Sequence, residues 1–356
     1  MKLKEMSSLI VIAFVLSCTQ AAFAAAPKKM DLSPEEIQAI GRQHDLLNER
    51  GMSSLRRESS AARPFSELEE AGYLFFSADT DFDSLEAKQI MARDLPDDVM
   101  LVIYTEPGRS RDRILRQYEG LIDPDRLRVV EVQGASRGFW TRDGLPVPVW
   151  DKAGKMGMVD ARYYHRFEPD QTFASWFQAL LSQHEYYFEG GNFMVNDRGD
   201  CITVDNDMST SIPERIFREL YGCQRLIRLP FLKGIGHIDE SVRFIGTNSV
   251  VTDDQQYAQT LKGEGFDVHL LPRPDEEYET YVNALLVNGT IFVPVFNESN
   301  DQAAVEVYRS AGLNVVPIET RTLANQGLGS IHCITMTYPK VPFQTLLNHI
   351  GGRELE

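Results

Sequence analysis

The sequence is poor in basic residues and in cysteine, and both shortages narrow the functions open to it. Lysine and arginine number 36 against 52 acidic residues, which gives a formal net charge of −16. Nucleic acids and anionic membranes are bound through basic surfaces, so neither is an expected partner. The four cysteines are Cys18, Cys201, Cys223 and Cys333, and no two of them form the C-x-x-C pair of a structural zinc site.

The chain also lacks an apolar run long enough to cross a membrane. The run Leu9–Leu16 (LIVIAFVL) has eight residues, whereas a spanning helix needs about 20. A basic start (MKLK) precedes this run, and the small-x-small sites AFA and AAA follow it. These features predict a signal peptide over residues 1–26, no integral membrane span, and a periplasmic or secreted protein. Lipidation at Cys18 is an alternative that the bulky Leu16 before it disfavours.

Residues 27–64 are predicted to form a helical extension followed by a linker. Ser33 is typical of a helix N-cap, Pro34 of a first turn, and Glu36 completes a capping box. The helix is expected to end at Gly51. The polar stretch that follows, MSSLRRESSAARP, is typical of a tether.

From residue 65 onward, short apolar runs alternate with amphipathic segments. Strands are predicted over residues 73–76, 100–104, 128–132, 186–195, 201–204, 225–229, 241–245, 268–271, 284–293 and 314–318. Helices are predicted over residues 85–92, 111–121, 172–182, 213–221, 254–262 and 300–311. This interleaving indicates an α/β fold. No Pro/Gly/Ser-rich break divides residues 65–356, which predicts one domain there.

Five clusters of glycine and polar residues interrupt this pattern near the ends of apolar runs, where loops carry function. They are WTRDG (140–144), FEGGN (188–192), GIGHIDE (234–240), YVN (281–283) and GLGSIHC (327–333).

The last cluster contains a candidate nucleophile. Cys333 follows two glycines, which allow backbone to approach a ligand closely. A nucleophilic cysteine needs a proton shuttle, and histidine is the usual one. His237 lies in a glycine-flanked loop, and Asp239 two residues later would face the same side of an extended segment. The alternatives are a packed core thiol and an ordinary polar loop.

Two further carboxylates, Asp143 and Glu189, stand next to glycine at the ends of apolar runs. Each could be a plain surface charge. Several buried carboxylates near one cysteine and one histidine would instead bind a planar cation such as a guanidinium. Cys201 and Cys223, 22 residues apart, either pair in a disulfide and leave Cys333 free or remain two unpaired buried thiols.

The succession RD…EGGN…GHID…YVN…GLGSIHC resembles that of the bacterial (Porphyromonas-type) peptidylarginine deiminase and agmatine deiminase family of guanidine-modifying enzymes. The resemblance extends roughly from Phe139 to Pro339. It implies a five-bladed α/β propeller of pseudo-symmetric ββαβ units (the pentein fold) with a central active site. It also makes residues 65–356 a deiminase catalytic domain.

The resemblance implies a role for six residues. The catalytic ones are Cys333 as nucleophile, His237 as general acid and base, and Glu189 as the residue that orients His237. The substrate-binding ones are Asp143 and Asp239, which hold the guanidinium, and Asn283, which contacts the substrate.

The implied reaction is hydrolysis of a guanidinium to a ureido product and ammonia through a cysteine thiouronium, without cofactor or metal. The guanidinium and His237 are expected to lower the pKa of the Cys333 thiol. The partner would be a small cationic guanidinium or an arginine-containing peptide; agmatine, free arginine and peptidyl-arginine all stay open, as does the oligomeric state. The alternatives are an amidinotransferase and a non-catalytic extracytoplasmic binding protein for arginine-like ligands.

Overall fold

The computed structural model describes residues 26–29, 31–51, 55–56 and 61–342. The predicted signal peptide lies outside these residues except for Ala26, as do Cys18 and residues 343–356. Strands and helices interleave along the described chain, so the predicted α/β class is confirmed.

The strands, numbered in chain order, are β1 Leu55–Arg56, β2 Ala61–Pro64, β3 Ala71–Ser77, β4 Met100–Thr105, β5 Leu127–Glu131, β6 Val147–Asp151, β7 Met156–Arg162, β8 Leu180–Tyr187, β9 Met194–Val195, β10 Asp200–Asp205, β11 Arg225–Pro230, β12 Val242–Gly246, β13 Ser249–Thr252, β14 Asp267–Leu270, β15 Leu285–Val287, β16 Thr290–Val295, β17 Asn314–Glu319 and β18 Met336–Pro339. The helices are α1 Pro34–Arg50, α2 Ser84–Arg93, α3 Arg111–Gln117, α4 Thr141–Gly144, α5 Asp170–Phe177, α6 Glu214–Ile216, α7 Gln255–Gly263 and α8 Asp301–Ser310.

The described strands form five sheets, and one ββαβ unit recurs in all of them. In four units two strands pair antiparallel, a helix follows, and a third strand returns parallel to the second. These units are β6-β7-α5-β8, β9-β10-α6-β11, β12-β13-α7-β14 and β15-β16-α8-β17. The repeat is structural, which agrees with the five pseudo-symmetric blades predicted.

The fifth unit joins strands from the two ends of the predicted catalytic domain. Strand β18 pairs antiparallel with β3, which pairs parallel with β4 across helix α2. Strand β5 extends this sheet on the far side of β4. The blades are therefore closed into one molecule by the pairing of residues 336–339 with residues 71–75.

The five polar clusters found in the sequence occupy equivalent places in this repeat. Each precedes the first strand of one unit, namely β6, β9, β12, β15 or β18. Residues far apart in the chain can therefore meet where these five loops converge.

The N-terminal extension begins with the predicted helix. The Ser33 hydroxyl accepts a hydrogen bond from the Glu36 backbone N–H, the Ser33 backbone N–H donates to the Glu36 carboxylate, and Gly51 is the C-cap, as expected for α1. The stretch predicted as a tether differs from that prediction, because β1 pairs with β8 and β2 pairs with β6. These two edge strands were not predicted because their sequence is polar.

Three predicted elements overran their real ends. The helix predicted to reach residue 182 ends at Phe177, because Gln178 has a positive φ of 50° and the chain reverses into β8. The run 186–195 leaves its strand before Glu189, and the run 284–293 contains a tight turn at Asn288-Gly289, where both φ angles are positive.

The core is built from strands that are buried on both faces, which is why they appear as continuous apolar runs. All seven residues of β3 and all six of β4 are buried. Within the described residues, no helix combines the length and the apolarity that a membrane crossing requires.

Candidate active site

Cys333 lies in the loop between a π-helical turn, Leu323–Gly327, and β18. Its side chain is fully buried, and its sulfur is 3.2 Å from Asn283 Nδ2 and 3.7 Å from Asp239 Oδ2. The bend at Gly329 must stay free of a side chain, because a Cβ there would lie 3.2 Å from Cys333 Cβ and 2.8 Å from the Trp140 ring. Among the described cysteines this is the free one, since Cys201 and Cys223 form a disulfide.

His237 is the residue before a 3₁₀ turn, Ile238–Glu240, and both its ring and the Glu189 carboxylate that faces it are buried. Nε2 lies 2.9 Å from Glu189 Oε2, which fixes the ring plane. Burial works to lower the pKa of His237, but the Glu189 carboxylate, helped by Asp143, outweighs burial and raises this pKa to about 9. The ring is therefore set up to carry a proton at neutral pH.

Gly190 and Gly191 allow the loop after Glu189 to lie close to Asp143, which is part of the one-turn helix α4. Gly191 N–H donates to Asp143 Oδ1 at 2.9 Å. A Cβ on Gly191 would lie 2.7 Å from His237 Nδ1 and 2.8 Å from Asp143 Oδ1, and one on Gly190 would lie 2.2 Å from the Arg142 carbonyl oxygen. The two glycines of the EGG sequence thus allow the backbone to pass between His237 and Asp143.

Asp239 is fully buried and faces both Cys333 and His332. His332 Nδ1 lies 2.7 Å from Asp239 Oδ2, and the other ring nitrogen lies 3.0 Å from Glu67 Oε1. Burial alone would raise the pKa of Asp239, but Lys29 and the hydrogen bond from His332 hold it well below its usual range. Asp239 Oδ1 is buried without a hydrogen-bond partner among the described residues. This oxygen is therefore available to accept from a bound cation.

Asn283 precedes β15, and its side chain is buried. Its Oδ1 accepts from the His332 backbone N–H at 3.1 Å and from the Cys333 backbone N–H at 3.4 Å, while Nδ2 donates to the Asp239 carbonyl at 3.3 Å. These contacts hold the nucleophile loop against the carboxylate loop. The predicted contact of Asn283 with substrate stays a prediction.

The six residues predicted as the site are therefore all brought together, and all are buried. The predicted lowering of the Cys333 pKa concerns the complex with a guanidinium, and it stays a prediction. Within the protein itself, burial and then Asp239 raise the pKa of Cys333, and Lys29 opposes them. The Glu240 and Asp143 carboxylates also raise it.

No motif in the sequence predicted Lys29, which reaches the centre of the site from the N-terminal extension. Its Nζ lies 3.0 Å from Asp143 Oδ2, 3.4 Å from His237 Nδ1, and 5.5 Å from the centre of the Trp140 ring. The side chain is fully buried. Burial lowers its pKa, but Asp143 and the other acidic groups raise it well above the usual value. Because the ammonium donates to Nδ1, it competes there with a second proton on the ring.

Five other contributors were also missed. Glu67 binds His332, and its carboxylate further pairs with Arg142 at 2.6 Å and Arg243 at 2.7 Å. Trp140, which lies under the Lys29 ammonium, is the fifth. Trp140, Arg142 and His332 carried a signal, since all three lie inside the quoted clusters. Glu67 comes from an ordinary acidic stretch, and its three partners are distant in sequence.

Asp143, Glu189 and His237 also present ligand atoms that lie within 4.8 Å of one another, close enough to hold a metal ion. The same oxygens and nitrogens suit an organic cation, and two of the three residues contact the Lys29 ammonium. A chelation experiment separates the two uses.

Comparison with known proteins supports the predicted fold and family. The agmatine deiminases of Pseudomonas aeruginosa and Pseudomonas fluorescens are each 25% identical to this chain, over 63% of it and 80% of their own length. The structure of the agmatine deiminase of C. jejuni superposes with a TM-score of 0.68 at 18% identity, covering 80% of this chain and 98% of that one. The agmatine deiminase of Enterococcus faecalis gives 0.65 at 18% identity, with coverages of 80% and 99%. These structures share the fold predicted for the chain.

The family model of the Porphyromonas-type peptidyl-arginine deiminases matches residues 86–339, which is more than half of the sequence. The matched range contains the five loops and all six predicted site residues. The family predicted from the motifs is thereby confirmed, and the chain belongs to the Porphyromonas-type peptidyl-arginine deiminase family.

Proposed function

We propose that this protein hydrolyses a guanidinium group to a ureido group and ammonia, with Cys333 as the nucleophile. The observation that carries the proposal is the convergence, around one buried cation position, of a free thiol, a histidine paired with a glutamate, and two aspartates. The family match and the agmatine deiminases among its relatives support guanidine chemistry.

Binding of the guanidinium is assigned to Asp143 and Asp239. A guanidinium is planar and presents its N–H donors in a fork that carboxylates accept. Asp239 Oδ1 and Glu189 Oε1 are buried carboxylate oxygens without a hydrogen-bond partner among the described residues. A bound guanidinium would satisfy such acceptors, whose burial is otherwise unfavourable.

The guanidinium also offsets the negative charge that raises the thiol pKa. A cation close to the sulfur favours the thiolate, so substrate binding itself helps to generate the nucleophile. The Cys333 sulfur then attacks the central carbon and forms a tetrahedral adduct. His237, protonated because Glu189 supports its charge, delivers a proton to one nitrogen, and the C–N bond breaks to release ammonia.

A thiouronium remains on Cys333. The neutral His237 accepts a proton from water, whose oxygen attacks the same carbon. The C–S bond then breaks, the ureido product leaves, and the sulfur is free for another cycle. Asn283 keeps the nucleophile loop in register with Asp239 during both steps.

The test is ammonia release from agmatine, free arginine and an arginine-containing peptide, measured side by side. The wild type is expected to release ammonia from at least one, and Cys333→Ala from none while keeping its fold and its affinity for the same compound. Treatment with a chelator should leave the activity unchanged, since no step uses a metal. Failure of the wild type on all three compounds would falsify the proposal.

Two outcomes would reveal the alternatives. Transfer of the amidino group to an added amine instead of water would indicate an amidinotransferase. Tight binding of all arginine-like compounds without turnover would indicate a binding protein.

We further propose that the protein acts outside the cytoplasm. The signal-peptide pattern of residues 1–26 and the Cys201–Cys223 disulfide support this location, because disulfides persist in oxidising compartments. Cell fractionation with mass measurement of the purified chain tests it. Recovery of full-length, cytoplasmic protein would contradict the proposal, and a lipid mass on Cys18 would indicate anchoring.

A further inference from the structure

Lys29 occupies the place assigned to the substrate guanidinium. Its ammonium contacts Asp143 and His237 and lies over the Trp140 ring. Its aliphatic stem runs beside the nucleophile loop, because a Cβ on Gly329 would lie 3.0 Å from Lys29 Cδ and 3.2 Å from Cys333 Cβ. The lysine therefore fills the approach to the sulfur and also the cation position.

Hydrogen bonds to two loops of the site hold the segment around Lys29. The Lys29 backbone N–H donates to the Gly327 carbonyl at 3.0 Å, and Trp140 Nε1–H donates to the Pro27 carbonyl at 2.8 Å. Lys28 is exposed, whereas Lys29 is fully buried. This short segment thus lies against Gly327 and Trp140 and inserts one basic side chain into the site.

This arrangement is the one that a peptide substrate would need. A basic side chain reaches the carboxylates while its own backbone hydrogen-bonds at the rim. Lysine binds but cannot react, because its ammonium nitrogen is attached to a methylene and offers no electrophilic carbon. With Lys29 in place, Cys333, Asp239 and His237 are at most 1% exposed, so a second cation has no room beside it.

We infer that residues 27–29 form an internal pseudosubstrate, and that the substrate which displaces it is an arginine side chain carried on a polypeptide. The inference rests on the proposed function and names the substrate class of the same site. Turnover requires the segment to leave, so the fraction of molecules with Lys29 withdrawn sets the apparent affinity for every guanidinium compound.

Replacing Lys29 by arginine gives the most direct test, because it places a guanidinium on the same backbone. In Lys29→Arg, Cys333 is expected to attack the central carbon of this guanidinium, and the C–N bond breaks to release ammonia. Water then attacks the same carbon, the C–S bond breaks, and citrulline remains at position 29. Intact-mass measurement and peptide mapping detect that change. Lys28→Arg, on the exposed neighbour, should keep its arginine, and so should the double variant Lys29→Arg/Cys333→Ala.

A second variant covers the case in which the longer side chain does not fit. Lys29→Met keeps a stem for Trp140 and removes the charge. If the pseudosubstrate is bound in nine molecules out of ten or more, its loss lowers KM for agmatine and for an arginyl peptide by about tenfold or more, with kcat little changed. Lys28→Met should leave both constants unchanged.

The outcomes distinguish a failure of the pseudosubstrate inference from a failure of the proposed deiminase function. If the wild type releases ammonia while Lys29→Arg stays unmodified and Lys29→Met leaves KM unchanged, the pseudosubstrate is wrong and the deiminase stands. Loss of kcat in Lys29→Met would likewise overturn it and make Lys29 part of the chemistry. A Lys29→Met variant that favours agmatine over the arginyl peptide would overturn the substrate class. If no form of the protein releases ammonia and position 29 stays arginine, the proposed function itself fails.

Discussion

Glu67 binds two arginines and one histidine next to the site. Its two carboxylate oxygens contact Arg142, Arg243 and His332. Burial works to raise the pKa of Glu67, but these partners hold it well below its usual range. Arg142 precedes Asp143, and His332 precedes Cys333. One carboxylate therefore positions both the binding loop and the nucleophile loop.

Glu67→Gln should destabilise the fold by about 3 kcal/mol, because it leaves buried guanidinium groups without their counter-charge. Urea unfolding measures this change. Glu70→Gln is the control, since Glu70 pairs with Lys340 on the exposed surface and should contribute less than about 1 kcal/mol. Equal effects of the two variants would remove Glu67 from this role.

Glu189→Gln should move the alkaline limb of the pH–activity profile toward lower pH. The Glu189 carboxylate raises the pKa of His237 to about 9, so its neutralisation lets burial lower that pKa again. The protonated form that delivers a proton to ammonia is then lost at lower pH. An unshifted alkaline limb, with only kcat reduced, would show that Glu189 does not support the charge on His237.

The Glu189–His237 pair also makes the free energy of unfolding depend on pH. The pKa of His237 is raised from 6.5 to about 9 on folding, so the contribution of this pair to the free energy of unfolding is complete below pH 6.5. It is lost as the pH rises through 9.

At this scale the sequence pointed to six residues that the structure brings together, because each lies in a short glycine-rich or polar cluster. It did not locate Glu67 or Lys29. Both contribute through contacts with residues more than 70 positions away, and neither has an unusual local sequence. The residues next to Glu67 and Lys29 in the sequence therefore do not indicate these long-range contacts.

Among the elements, the turn that starts at Gly190 depends most strictly on its glycines. Gly190→Ala would place a Cβ 2.2 Å from the Arg142 carbonyl oxygen, which is backbone and cannot move aside cheaply. The resulting shift of α4 displaces Asp143, and a misplacement of this kind lowers kcat/KM by about 100-fold.

Gly41→Ala is the matched control for that substitution. Gly41 lies inside α1, and a Cβ there meets no atom within 4 Å. It should stabilise the protein by up to about 1 kcal/mol through helix propensity and leave kcat/KM unchanged. Steady-state kinetics and thermal unfolding of the two variants test the contrast; similar kinetics would rule out a special role of Gly190.

Element type was more predictable than element ends. Continuous apolar runs identified β3 and β4, because strands buried on both faces need them. Strands β6 and β7 were missed, since VPVWD and MGMVDAR contain proline, glycine and charged residues. Their pairing is decided by the sheet they enter.

For the whole molecule, closure depends on β18. Tyr338 lies at the joint: its hydroxyl donates to the Pro146 carbonyl at 2.9 Å, and its ring packs on Phe75 and Phe177 with centroids 5.3 and 4.9 Å away. The blade made by both ends of the predicted catalytic domain is thereby fixed to its neighbour.

Tyr338→Ala should therefore destabilise the protein by about 3–5 kcal/mol, as expected for removal of a buried aromatic ring. Tyr338→Phe keeps the packing and loses one hydrogen bond, which contributes about 1 kcal/mol. Denaturant unfolding of both variants checks the difference. A small effect of the alanine variant would show that the ring holds without this joint.

Closure by β18 also sets an order of events during synthesis. Every other predicted site residue lies before position 284, whereas Cys333 comes only three residues before the closing strand. A growing chain thus acquires its acids and its base first and its nucleophile last, and Cys333 takes its place only once β18 has paired with β3. A chain cut short before residue 333 would have most of the groups assigned to binding a guanidinium, and none that could attack it.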